Sequence, residues 1–481
     1  MNLRPHVVVA AVLLSTSTWA RPDVPGSDLF TFDVGDDVVS VDSAHFRVHY
    51  TLAGTHRVPL ADVDASGVPD HVEAVIDIYE AAHAAYAALG FRAPVSDDGL
   101  PDNGGDGRFD VYLVDFARNA DGAYRSERCE GAVCSGYMVQ ENDFAGYSYP
   151  SVAVANATVA SHELFHAVQA AYDADQGGVV AEGTAVWASE RFDASLRDLE
   201  GFAYGYLDNA ATPLDAGRGG PVDSFTYGAG IFFEYLSERF DDDIVLTLWQ
   251  GVADDVVVDA DWFVVVDELL RARGSSFAQA FAEFSTWTLL TGDRADAARS
   301  FQTGAQMSER EGTAKTLPVD EASFTVFTAS SRLIVAPVGA RAELHASIDG
   351  TAEALDGVRV YVLPLAADGR ALDVVEAVDV DTVVDVEGAA DVFVLVVNTR
   401  QEGSSSRPRL CVGDREEVDA CRVVAEGEGE GEGEGEDVID DVTLGGGGCA
   451  STSAASSSAA SSSAALWMTM FALLGWRRRS M

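Results

Sequence analysis

The chain has 481 residues, 78 Asp and Glu against 31 Lys and Arg, and a formal charge of −47. That balance argues against a nucleic-acid partner, because phosphate contacts need clustered basic side chains, and Lys315 is the one lysine. Hydrophobic residues make up 47% of the chain, which excludes disorder throughout and allows sizeable cores.

In chain order, Arg4, the apolar run Val7–Leu14 and the small residues up to Ala20 read as a signal peptide over residues 1–20, cleaved before Arg21. The apolar run is too short to span a bilayer. A buried strand is the alternative. Residues Arg21 to about Asp42 are where a propeptide would lie.

Asp62 to Glu73 (DVDASGVPDHVE) has the spacing of an EF-hand-type calcium loop. Oxygen donors fall at Asp62, Asp64, Ser66, Asp70 and Glu73, with Gly67 at the tight turn and the Val68 carbonyl after it. No helix precedes it, so it reads as a structural loop, not a sensor. The other reading is an acidic turn with Asp70 as N-cap of the next helix. From Asp70 to Leu89, Val72, Ile76, Tyr79, His83, Tyr86 and Leu89 form one helical stripe, which Gly90 ends. His83 is therefore read as a core histidine. Asp102, Asp106 and Asp110 suggest a weaker second cation site. Phe109–Phe116 alternates like a strand.

The five cysteines form two close pairs, Cys129 with Cys134 and Cys411 with Cys421, leaving Cys449. This fits two disulfides in an exported protein. Cys129 and Cys134 as metal ligands is the alternative, although no second Cys/His pair lies near them.

His162-Glu163-Leu164-Phe165-His166 is an HExxH motif. On a helix, positions four apart share a face, so both imidazoles reach one metal. Zinc accepts such ligands, and Glu163 beside them is placed to take a proton from an attacking water. Composition alone yields about 0.01 such matches in this chain. Gln169 and Tyr172 stand where a metzincin would carry its Gly and third His, so that class is excluded. Glu182, 16 residues beyond His166 and past the turn Asp173–Gly178, lies on the next helix and is the expected third ligand. Asp173, Asp175 and Glu190 are its rivals. Tyr227, opening a later helix, is a candidate donor to a developing oxyanion; a packed core tyrosine is the alternative.

Ser161–Tyr172, Val180–Phe192, Tyr227–Phe240 and Asp261–Leu290 read as helical. Beyond them Phe324–Thr328, Leu333–Ala336, Glu343–Ile348, Val358–Leu363, Val374–Val378, Thr382–Val386 and Val392–Val397 are short β-rich runs, the pattern of an antiparallel sandwich. No catalytic cluster lies there, so this part reads as a binding or spacing module, with a surface polymer as its ligand. Glu426–Glu436 alternates Glu and Gly and should be an extended linker. DVTLGGGGC, a Ser/Ala stretch, the apolar run Ala464–Trp476 and Arg477–Arg479 close the chain.

Two resemblances follow from these segments. The C-terminal layout resembles bacterial C-terminal sorting signals, of the JDVT type and on the general myxobacterial plan. That implies attachment at the outer cell surface near Cys449, with membrane contact through the tail; a simple tail anchor is the alternative. HELFHAVQAAYD with AEGTAVWASE, together with DVDASGVPDHVE, GGDGRFDVYLVDF, GYMVQENDF and TYGAGIFFEYL, resembles a family of secreted, gluzincin-like zinc metalloproteases common in myxobacteria. The match runs from about Thr31 to Gly251. It implies His162, His166 and Glu182 as zinc ligands and Glu163 as base. One departure stands out: Val186 replaces the Asp that thermolysin-type sites place four residues after the ligand Glu, so support for a histidine must come from elsewhere.

The expected architecture is an α+β zincin-like (thermolysin-like metalloprotease) catalytic domain followed by an all-β sandwich module. The divisions are a signal peptide (1–20), catalytic domain (21–316), β-sandwich module (317–424), acidic linker with sorting motif (425–448) and sorting tail (449–481). The expected function is zinc-dependent hydrolysis of a protein or peptide, with calcium as a structural cofactor. An inactive metalloprotease-like adhesin, or a calcium-stabilised structural protein, is the alternative.

Overall fold

The computed structural model describes residues 21–24, 30–216, 223–403 and 405–427. The expected signal peptide, the Glu-Gly linker beyond Gly427 and the sorting tail with Cys449 lie outside the described residues. What is described is a mixed α+β protein with several sheets.

The N-terminal part carries β1 (Val38–Asp42), β2 (Phe46–Thr51), α1 (Asp70–Ala88), β3 (Phe109–Val114), β4 (Gly122–Glu130) and β5 (Val133–Glu141). Its five strands form one sheet in the order β1-β2-β3-β5-β4. β2, β3 and β5 are parallel, and the edges β1 and β4 pair antiparallel. The period-2 pattern of β3 divides two cores. Val111 and Leu113 join the core under the helices. Tyr112 and Val114 face Phe32 and Phe116 on the opposite side. Residues 21–24 and 30–42 thus belong with the sheet: Arg21 is buried, Phe32 fills the second core and β1 pairs with β2. α1 ends where expected, with Gly90 at φ +93°. Its buried face is Val72, Val75, Tyr79, Ala82 and Tyr86, which leaves His83 half-buried at the margin and not in the core.

Eight helices follow: α2 (Val152–Ala170), α3 (Gly178–Phe192), α4 (Asp198–Leu207), α5 (Ser224–Gly228), α6 (Gly230–Arg239), α7 (Ile244–Gly251), α8 (Trp262–Ala272) and α9 (Phe277–Trp287). α2 begins well before Ser161 because Ser151 caps it, accepting from the Val154 N–H at 3.2 Å. The expected helix Tyr227–Phe240 divides at Ala229. The glycines on either side of the division pack closely: a Cβ on Gly228 would lie 2.3 Å from the Tyr206 nitrogen, and one on Gly230 3.2 Å from the Gly183 carbonyl. Tyr227 therefore lies near the end of the short α5 and does not open a helix. The Asp261–Leu290 stretch breaks into α8 and α9 at Gly274, with Ser276 capping α9.

The C-terminal part holds β6 (Thr313–Ala314), β7 (Val319–Glu321), β8 (Ser330–Pro337), β9 (Glu343–Asp349), α10 (Ala352–Leu355), β10 (Val358–Ala366), β11 (Val375–Glu376), β12 (Val384–Asp385), β13 (Ala389–Asn398), β14 (Arg409–Gly413) and α11 (Arg415–Gly427). These strands form two sheets, β11-β10-β13-β8-β6 and β12-β9-β14-β7. Pairing is antiparallel except β6 with β8. The run Phe324–Thr328 forms no strand beyond one bridge from Val326 to Ser406. β13 is buried on both faces: Val392, Val394 and Val396 face the second sheet, while Phe393, Leu395 and Val397 join the core of the helical part. The β part thus shares apolar packing with the helices. Both disulfides are formed: Cys129–Cys134 closes the β4–β5 hairpin, and Cys411–Cys421 ties β14 to α11. Among the described residues no helix is long and apolar enough to cross a membrane.

Candidate metal centre

α2 and α3 are both buried almost all round, by neighbours on several sides rather than along one face. The turn between them is folded by Asp173, whose carboxylate accepts from the Asp175 N–H at 2.8 Å and from Gln176 Nε2 at 2.6 Å. Gly183 lets α3 approach α6, since a Cβ there would lie 2.7 Å from the Phe233 ring. The result places Glu182 against the HExxH face of α2.

Glu182 Oε2 lies 3.1 Å from His162 Nε2 and 3.5 Å from His166 Nε2. One ligand atom from each of the three residues lies within 4.8 Å of the others. Burial works to lower the His166 pKa, but the carboxylates of Glu182 and Glu163 outweigh it and raise it to about 9. Burial works to raise Glu182, but His166 and His162 hold it at about 2. A buried, ionised carboxylate facing two imidazole nitrogens is a donor set that suits zinc, so the residues fit the expected ion.

The histidine support missing at Val186 is supplied within α2. His166 Nδ1 lies 2.8 Å from Gln169 Oε1. Gln169 Nε2 donates to the Ala181 carbonyl at 2.7 Å and to Thr184 Oγ1 at 2.9 Å. Thr184 in turn donates to the Val180 carbonyl and accepts from Trp249 Nε1. The amide orientation is thereby set: its oxygen accepts the Nδ1 proton, which leaves Nε2 as the nitrogen a bound ion would meet.

Glu163 Oε2 accepts from the Tyr124 N–H of the edge strand β4 at 3.1 Å. Gly122 permits this approach, because a Cβ would fall 2.5 Å from Val159 and 2.9 Å from the Glu163 side chain. Tyr227 is buried, stacks on Phe202 at 4.8 Å between centroids, and sits 5.6 Å from the His162 ring. Burial and the charges of Glu182 and Glu163 push its phenol well above the usual range, so it stays protonated. His162, Glu163 and Tyr227 line one cavity with Asp121, Tyr149, Thr158, Val159, Asp198 and Phe202. Burial raises Asp121 to about 7, against the 2.6 Å bond from the Tyr149 hydroxyl. Burial also raises Asp198 to about 6. Asp121 precedes β4 and Asp198 opens α4, and neither stands in a sequence motif. Gln169 was legible in principle, since it stands one helical turn from His166.

The rival third ligands lie elsewhere. Asp173 serves the turn, and Asp175 follows it there. Glu190 faces Glu200 and Glu234, and burial with those charges raises it to about 8.

In the calcium-type loop, ligand oxygens of Asp62, Asp64 and Asp70 lie within 4.8 Å of one another. Ser66 N–H bonds both Asp62 and Asp64 at 3.0 Å, and Gly67 takes φ +91°. Glu73 lies in the first turn of α1, outside that group, and the Val68 carbonyl accepts from Ser66 Oγ at 3.2 Å. Asp70 is the first residue of α1 rather than its N-cap, and its Oδ1 accepts from Val63 N–H at 3.0 Å. The cluster Asp102, Asp106 and Asp110 is not brought together. Asp110 pairs with Arg21 and His49, and Asp106 with Arg47 and Arg108, so arginines supply the positive charge.

No protein-family model matches the chain, and no curated protein matches it.

Proposed function

We propose that the protein is a gluzincin-like zinc endopeptidase with a zincin-like, thermolysin-like catalytic domain, exported and attached to the outer surface of a bacterial cell. The observation that carries this reading is the convergence of His162, His166 and Glu182 with Glu163 on the same helix turn. His162 and His166 through Nε2, and Glu182 through its carboxylate, would hold the ion. Zinc bound there supplies Lewis-acid chemistry, polarising a peptide carbonyl and acidifying water.

The remaining work falls to the chain. Glu163, oriented by the Tyr124 amide, takes the proton of the attacking water and passes it to the leaving amine. Tyr227 keeps its proton beside His162 and is the donor for oxyanion charge. Strand β4 is a sheet edge beside the HExxH helix, so its outward main-chain groups suit an extended peptide. The Asp62–Asp70 loop would take calcium and fix the entry to α1.

The test is hydrolysis of a broad peptide library by the full chain, before and after a chelator and after zinc is restored. Cleavage that disappears and returns supports the reading. Stoichiometric zinc without cleavage overturns it.

A further inference from the structure

We propose that His45, Glu80 and His83 form a second transition-metal site, separate from the one between α2 and α3. Glu80 and His83 stand one turn apart on α1, so their side chains project from the same face. The β1–β2 turn brings His45 to them. His45 N–H and Ser43 Oγ donate to Glu80 Oε1 at 2.8 and 2.6 Å. His45 Nδ1 lies 2.6 Å from Glu80 Oε2. The rings of His45 and His83 stack at 4.2 Å between centroids. A nitrogen from each imidazole and a Glu80 oxygen lie within 4.8 Å of one another.

Two imidazoles and a carboxylate are a donor set for zinc and similar first-row divalent ions, with room for a further ligand. The bonds to Glu80 Oε1 turn its Oε2 toward the histidines, the orienting role that outer partners play at metal sites. His45 Nδ1 and Glu80 Oε2 are the two atoms between which a cation would insert. His45 is half-exposed at 53%, so an ion can reach it from solvent. Both histidines also line a cavity of about 440 Å³ with Pro94, Ser96 and Phe109, which gives an outside ligand access. The cation already at that cavity, Arg108, is held by Asp106 and Asp42.

The test counts zinc on the full-length protein. Metal is stripped with a chelator, zinc is restored with calcium in excess to fill the acidic loop, and bound zinc is measured by mass spectrometry. Wild type should hold two zinc per chain, and His83→Ala and His45→Ala each one. His162→Ala with His166→Ala should leave one zinc, which His45→Ala then removes. If the α2–α3 centre bound no zinc, wild type would hold one and His45→Ala none, so the two readings fail separately. His45 lies on an exposed turn, and its removal leaves the core untouched. Unchanged zinc content in both His45→Ala and His83→Ala overturns the proposal.

Discussion

Gln169 bonds His166 Nδ1 at 2.8 Å through its carbonyl oxygen, while its amide nitrogen grips Ala181 and Thr184 on either side of Glu182. One side chain thus orients the ring of one ligand and ties down the helix bearing another. Gln169→Leu keeps the volume and removes the bonds. Zinc affinity should fall about 10–100-fold, measured by competition with a chromophoric chelator. Unchanged affinity would contradict the role given to Gln169.

How much of this was legible depended on sequence distance. His162, Glu163 and His166 follow from helical spacing, and Glu182 from a helix, a turn and a helix. Both cysteine pairs follow from proximity. Asp121, Tyr149 and Asp198 were not legible, because only the tertiary fold brings β4, the segment before α2 and α4 to one cavity. The break between α5 and α6 is not legible either, because the contacts of Gly228 with α4 and of Gly230 with α3 are tertiary. His83 fits an apolar stripe by spacing, yet the buried face of α1 turns toward Val75 and Ala82 and leaves it at the margin.

The Asp62–Asp70 loop should bind calcium and stabilise the fold by mass action. At calcium one hundred times Kd the gain is about 2.7 kcal/mol. Thermal unfolding of wild type should therefore shift upward with calcium, and Asp64→Ala should abolish the shift. An equal shift in both proteins would remove the loop as the site.

Arg21 is 3% exposed and pairs with Asp97, Asp110 and Glu127. Burial raises Asp97 to about 6 even with the guanidinium opposing it. Arg21→Ala would leave buried Asp97 and Asp110 and half-buried Glu127 without that partner, and breaking such a pair costs about 3–5 kcal/mol. Urea unfolding should show a loss of that order. A loss below about 1 kcal/mol, the range of surface pairs, would contradict the packing described for this segment.

Glu190 faces Glu200, Glu234 and Asp198, with Arg191 as the opposing charge, and its pKa is raised from 4.5 to about 8. The folded state therefore holds this proton more tightly than the unfolded state. Its contribution is complete below about pH 4.5 and is lost as pH rises toward about 8. Melting temperatures across that range should fall less steeply in Glu190→Gln than in wild type. Parallel profiles would contradict the assignment.

In the proposed function Glu163 moves a proton in peptide hydrolysis while His162, His166 and Glu182 hold the metal. The direct measurement is the rate of peptide cleavage by Glu163→Gln alongside its zinc content. Zinc content should match wild type and the rate should be lower by about 10²–10⁴-fold. Wild-type cleavage by Glu163→Gln, with zinc in place, would contradict it.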